Sequence, residues 1–101
     1  MKAITKDIHG TQYEYKLSTS IHCPFRDIIE IKLFQGVKMV VCWQNHITEL
    51  KIPKSVVTLY CWGNKIKTLN IPPTIKDIWC DKNVIGNLDE LENDVKVKIY
   101  F

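Results

Sequence analysis

Between Val37 and Leu88 the chain restates itself every nineteen residues, as VKMVVCWQNHITELKIPKS, VVTLYCWGNKIKTLNIPPT and IKDIWCDKNVIGNLDELEN. Apolar residues fall in shared columns: Val37/Val56/Ile75, Val40/Leu59/Ile78, Ile47/Ile66/Ile85 and Leu50/Leu69/Leu88. Cys42/Cys61/Cys80 form another column, as do Asn45/Asn64/Asn83, while Ile52-Pro53 and Ile71-Pro72 share two more. A fixed period of this length means that each unit cannot bury its apolar face alone and must stack on its neighbours. The alternation Val40-x-Cys42, Leu59-x-Cys61 and Ile78-x-Cys80 predicts strands over about 38–43, 57–62 and 76–81. Equivalent strands separated by a full turn of chain must pair in parallel, about 4.8 Å apart. The return half of each unit is too short for a helix with two loops, and its proline favours an extended path.

The period does not extend unchanged to the flanks. Residues 1–17 lie outside it, and KAITKDI and TQYEYKLS surround His9-Gly10, a pair suited to a tight hairpin turn. A stacked array exposes its core at its ends, so this hairpin is expected to be the N-terminal cap. Residues 18–36 are a worn first unit, with Ile21, Cys23, Ile28, Ile31 and Leu33 in the apolar columns, Arg26 in place of asparagine and Phe34 in place of proline. The clear units occupy 37–93, and 94–101 supply a last strand in which Val97 and Ile99 match Leu59 and Cys61. That strand is expected to leave an unpaired edge, a known route to association. The whole, 1–101, reads as one mainly β domain, a right-handed parallel solenoid.

Composition excludes several function classes. Net charge is only +3, and of 14 basic residues Arg26 is the sole arginine, with lysines scattered and not in runs. Nucleic-acid readers concentrate basic charge and lean on arginine, so no nucleic-acid partner is expected. No apolar run approaches 18 residues and no leader-like segment follows Lys2, so neither a membrane span nor secretion is expected. Four cysteines without a leader point to reduced thiols and a cytoplasmic setting.

From its first apolar column each unit reads like Val56-x-x-Leu59-x-Cys61-x-x-Asn64-x-Ile66. This resembles the leucine-rich repeat, L-x-x-L-x-L-x-x-N-x-L, over roughly residues 18–101. The Ile-Pro junctions look like the brief repeats of bacterial effectors and of giant-virus or amoebal repeat proteins. The period of 19 is just below the family's usual 20–29, and the array is short. The resemblance implies ligand or protein binding through the inner sheet, with no fixed partner, and the partner expected here is a protein or peptide. It also suggests a viral or parasite protein acting on a host protein, in the host cytoplasm.

Two columns invite chemical readings and receive structural ones. Cys23, Cys42, Cys61 and Cys80 recur at the repeat spacing, not at the two to four residues of a zinc site, and a linear ladder cannot supply tetrahedral ligation. Their expected role is small buried filler, with no metal and no cofactor. Asn45, Asn64 and Asn83 are expected to turn inward and bond main-chain groups of the adjacent turn. Catalysis has little support. His9, His22 and His46 have no second catalytic type beside them in this register, Glu30, Glu49, Asp89, Glu90 and Glu92 read as solvated charges, and no glycine-rich phosphate loop exists.

Function is expected between the apolar columns. If Leu59 and Cys61 point inward, Thr58, Tyr60 and Trp62 face the other way, with Met39, Val41 and Trp43 before them and Asp77, Trp79 and Asp81 after. His22 lies above and Lys96, Lys98 and Tyr100 below, so all three tryptophans share one face. Val41, Tyr60 and Trp79 fall in one column, and Trp43 and Trp62 in the next. Such a patch is either self-packing that stiffens the sheet, a protein contact, or a carbohydrate or small-ligand site. The residues expected to meet a partner are Val41, Trp43, Tyr60, Trp62, Trp79, Asp81, Lys98 and Tyr100. The alternative is a homodimer formed through this face or through the last strand.

Overall fold

The computed structural model describes residues 2–16, 19–81 and 95–100, with Tyr100 described by its backbone alone. Within them every regular element is a strand: β1 (Lys2–Asp7), β2 (Gln12–Lys16), β3 (Ser20–His22), β4 (Ile28–Lys32), β5 (Met39–Val41), β6 (Thr58–Tyr60), β7 (Asp77–Asp81) and β8 (Lys96–Tyr100). Two sheets result. One is three-stranded, in the order β2-β1-β4, and the other five-stranded, in the order β3-β5-β6-β7-β8.

The larger sheet is parallel throughout, and its register follows the columns of the sequence. Ile21 pairs with Val40, Val40 with Leu59, Leu59 with Ile78 and Ile78 with Val97. The chain therefore makes about four solenoid-like turns, each laying a strand beside the last. Ile21, Val40, Leu59 and Ile78 are all fully buried, as are Val37, Val56 and Ile75. Each such side chain contributes about 1.5–3 kcal/mol of transfer free energy, and this core drives the stacking. The turn into each strand is closed by a main-chain bond, from Val37 N–H to Phe34 O, Val56 N–H to Pro53 O and Ile75 N–H to Pro72 O.

Strands β5 and β6 are shorter than alternation alone predicts. The ladder continues past them, with Cys42 N–H donating to Tyr60 O and Gln44 N–H to Trp62 O, while the backbone bends. The bend sits at one column, where Phe25 (φ 55°), Gln44 (φ 52°) and Gly63 (φ 76°) are left-handed. At Gly63 a β-carbon would lie 2.8 Å from Gln44 Cγ and 3.2 Å from Gln44 N, so glycine is needed twice over.

The asparagine column supports this bend. Asn45 Oδ1 accepts from Arg26 and Ile28 N–H (2.8 and 3.0 Å), and its Nδ2 donates to Cys23 O (3.0 Å), Cys42 O (3.0 Å) and Trp43 O (3.3 Å). Asn64 Oδ1 accepts from Ile47 N–H, and its Nδ2 donates to Cys42 O and Cys61 O. These main-chain groups have left the sheet and would otherwise be buried unpaired. Asn83 lies outside the described residues. A second polar column, not singled out from the sequence, does similar work at the other bend. Ser55 Oγ accepts from Gly36 N–H and donates to Val37 O, and Thr74 Oγ1 donates to Val56 O.

At the N-terminal end β1 and β2 form the expected antiparallel hairpin around Gly10 (φ 81°). The Asp7 carboxylate braces its turn by accepting from His9 and Thr11 N–H. The inward positions are the small Ala3 and Thr5, both buried, while Ile8 is exposed. The sequence did not announce β4. The return half of the worn unit pairs antiparallel with β1, with a register shift at Lys6/Asp7, and so joins the hairpin to the solenoid.

Candidate interaction face

On the parallel sheet, the side opposite the buried columns carries the tryptophans. Trp43 and Trp62 stack with ring centroids 5.1 Å apart and planes within 4°. Trp79 leans out of its own column to meet Trp62, again at 5.1 Å but tilted by 33°. Tyr60 meets Trp79 edge to face at 6.2 Å, and the Lys98 ammonium lies 5.4 Å from the Trp79 ring. The three indoles form one continuous ladder, half-buried along its length. Offset and edge-to-face pairs of this kind add about 0.5–1.5 kcal/mol each beyond area burial. Since neighbouring rings cover one another's faces, the ladder presents their edges to solvent as an apolar ridge.

The other expected partner residues divide. Val41 lies on this side of the sheet but is only 3% exposed, flanked in register by His22 and Tyr60, so it offers a partner no area. Asp81 is already engaged, since both its carboxylate oxygens accept from Gly63 N–H at 3.0 Å. It substitutes for a carbonyl: Phe25 and Gln44 N–H bond to Trp43 O and Trp62 O at the equivalent places. Asp77 is engaged too, accepting from the Tyr60 hydroxyl, and this bond to an anion raises the Tyr60 pKa above its ordinary value. Lys96 and Lys98 are exposed, as is His22. The side chain of Tyr100 lies outside the described residues. Pairwise columns on a strand could not reveal the lean of Trp79 or the two engaged aspartates, because both depend on side-chain rotamers.

The cysteine column is buried and unbridged: Cys23, Cys42, Cys61 and Cys80 are free thiols. Burial pushes Cys23 and Cys80 up to about 11 and raises Cys42 and Cys61 well above the ordinary thiol value. Thiolates are the metal-binding and nucleophilic form, so these thiols are held in their unreactive state. Among the described residues no group of three His, Cys, Asp or Glu could hold a metal ion. His46 Nε2 lies 3.1 Å from Asp27 Oδ1 at the surface and has no nucleophile beside it in that pair.

Two further features lie away from the ridge. A groove of about 650 Å³ runs between β4 and the next return segment, lined by Ile29, Ile31, Leu33 and Thr48 with Glu30/Lys32 and Glu49/Lys51 on its walls. Among the described residues the most exposed large apolar side chain is Phe25, at 73%, at the N-terminal end of the array. Among the described residues no helix is long and apolar enough to cross a membrane. No protein-family model, no curated protein and no solved structure matches this chain.

Proposed function

We propose that this chain is a protein-interaction module, a leucine-rich-type solenoid of nineteen-residue turns that holds a protein or peptide partner against its tryptophan ridge. The observation that carries the reading is the ladder Trp43-Trp62-Trp79, half-exposed on a regular sheet with the exposed lysines Lys96 and Lys98 beside it. Tryptophan anchors rimmed by charge are what protein interfaces concentrate. A sugar needs a free ring face to stack on, and the two stacked contacts already take both faces of Trp62 and one each of Trp43 and Trp79. A ridge of ring edges suits a complementary apolar furrow on a protein. The contact residues are then Trp43, Tyr60, Trp62, Trp79 and Lys98. Four buried free thiols fit a reducing, cytoplasmic compartment, and the resemblance to effector and viral repeats suggests a host protein as the target.

The test is cross-linking in the native cell with the intact chain and with Trp62→Ala/Trp79→Ala, after circular dichroism has shown that the variant retains its sheet. The reading requires a cross-linked partner peptide that maps to the ridge and is lost in the variant. A folded variant that keeps all its partners overturns it. A second reading is self-association through the ridge or through β8. It is favoured by Val97, which is 41% exposed although its column is otherwise buried. Solution mass at rising concentration separates the two.

A further inference from the structure

We propose that the outer edge of β8 is a second binding site, which takes an acidic extended segment of another protein as an added strand. This site lies along the edge of the sheet and shares only Lys98 with the ridge on its face, so the peptide comparison on the unaltered chain tests it apart from the ridge. β8 is the outer member of the five-stranded sheet, and among the described residues no strand pairs with its far side. Such an edge is a template for main-chain pairing.

Among the described residues, the core column is least covered at β8. Ile21, Val40, Leu59 and Ile78 are fully buried, whereas Val97, the next in register, is 41% exposed. At the opposite end Ile21 is closed over completely. Whatever lies beside β8 must therefore bring an apolar side chain opposite Val97.

The inner neighbour shows which charge belongs beside the other face. On β7, Asp77 pairs with Lys96, and the Trp79 ring lies beneath the Lys98 ammonium. A strand offers the same alternation to both its edges. Yet Asp77 is tied to the Tyr60 hydroxyl and Asp81 to Gly63 N–H, and no ion pair joins Lys96 or Lys98 to a carboxylate among the described residues. Two exposed lysines two residues apart thus lie on one face of β8 without a carboxylate partner among the described residues. A strand with acids opposite Lys96 and Lys98 and apolar residues opposite Val97 and Ile99 complements both faces at once.

A second copy does not. Two β8 strands paired about a two-fold axis oppose lysine to lysine, which is destabilising. Lysines on an edge strand are a common guard against such self-pairing. Joining β8 to the outer edge of β3 sets the lysines against Ser20 and His22, where β3 has no acid.

The experiment uses the intact chain with three synthetic peptides: one alternating Glu and Val, one alternating Lys and Val, and one with the same Glu and Val in two blocks. Amide hydrogen exchange and chemical shifts report on β8. The alternating acidic peptide alone is expected to slow exchange along Lys96–Tyr100. Its affinity should fall about fivefold in Lys96→Gln/Lys98→Gln, the loss of two exposed ion pairs. Both lysines are exposed, so the variant is expected to fold, and the comparison among peptides needs no variant at all. Unaltered β8 exchange at peptide saturation overturns the proposal. So does equal binding of the lysine peptide, or a peptide-free dimer whose formation protects β8.

Discussion

Replacing Asn45 by leucine is expected to be the most damaging change that leaves the apolar core untouched. The side chain is 4% exposed and makes five hydrogen bonds, two as acceptor and three as donor, all to main-chain groups at the bend. A buried group left without its partner costs about 1–3 kcal/mol. The five losses do not add, because Cys23, Cys42 and Trp43 carbonyls converge on one amide and relax together. The expected loss is roughly 3–5 kcal/mol, a large part of the ~5–15 kcal/mol that holds a domain folded. Asn64 makes three such bonds from a half-buried position, so Asn64→Leu should cost less, about 1–3 kcal/mol. Urea unfolding followed by tryptophan fluorescence reads both values, with an unchanged slope showing that the two-state comparison holds. Asn45→Asp sharpens the test. It keeps the acceptor but turns a carboxylate toward three carbonyls, which raises its pKa in the folded state above the unfolded value. Its stability should therefore be highest at acid pH and fall as pH rises through that folded pKa. An Asn45→Leu protein within 0.5 kcal/mol of the parent, or one more stable than Asn64→Leu, would refute the bracing role.

Gly63→Ala should destabilise by about 1–2 kcal/mol, since it combines a left-handed backbone with a β-carbon driven against Gln44. Gly10→Ala, also left-handed but with open space around it, should cost less in the same melt. The four thiols should react with a disulfide reagent only as fast as the protein opens, whereas a fast-reacting thiol in the native state would contradict their burial. Burial raises the cysteine pKa values above 9, so their contribution to stability is complete below pH 9. It is lost as pH climbs toward about 11, the folded value of Cys23 and Cys80, and a melt series across that range measures it.

Much of this architecture was legible because the apolar columns obey two rules at once. Val40, Leu59 and Ile78 recur at the period of the turn and alternate within it, and only a parallel stack satisfies both. The same alternation placed Trp43, Trp62 and Trp79 on one side. Burial of Val41 could not be read, since it depends on how far its neighbours in register spread over it. The engagement of Asp81 with Gly63 was hidden for a related reason. A carboxylate on a strand face looks solvated until the bend beside it is known to lack a carbonyl. The pairing of Ile28–Lys32 with β1 was missed because the repeat assigns that segment to a return path. The worn unit departs from the repeat there and adopts the antiparallel partner that the hairpin offers. Ser55 and Thr74 did leave a trace, as hydroxyl residues nineteen apart, but against a background of stronger columns.

Among the described residues, every bond that Asn45 and Asn64 make across the stack reaches back to the turn before. The array thus has a grammar with one direction, in which each unit completes its predecessor. A nineteen-residue segment copied in frame brings with it the amide that its predecessor needs, and finds its own need met by whichever unit follows. As far as the asparagine ladder is concerned, such a chain can lengthen by duplication, and one hairpin at its head serves an array of any length.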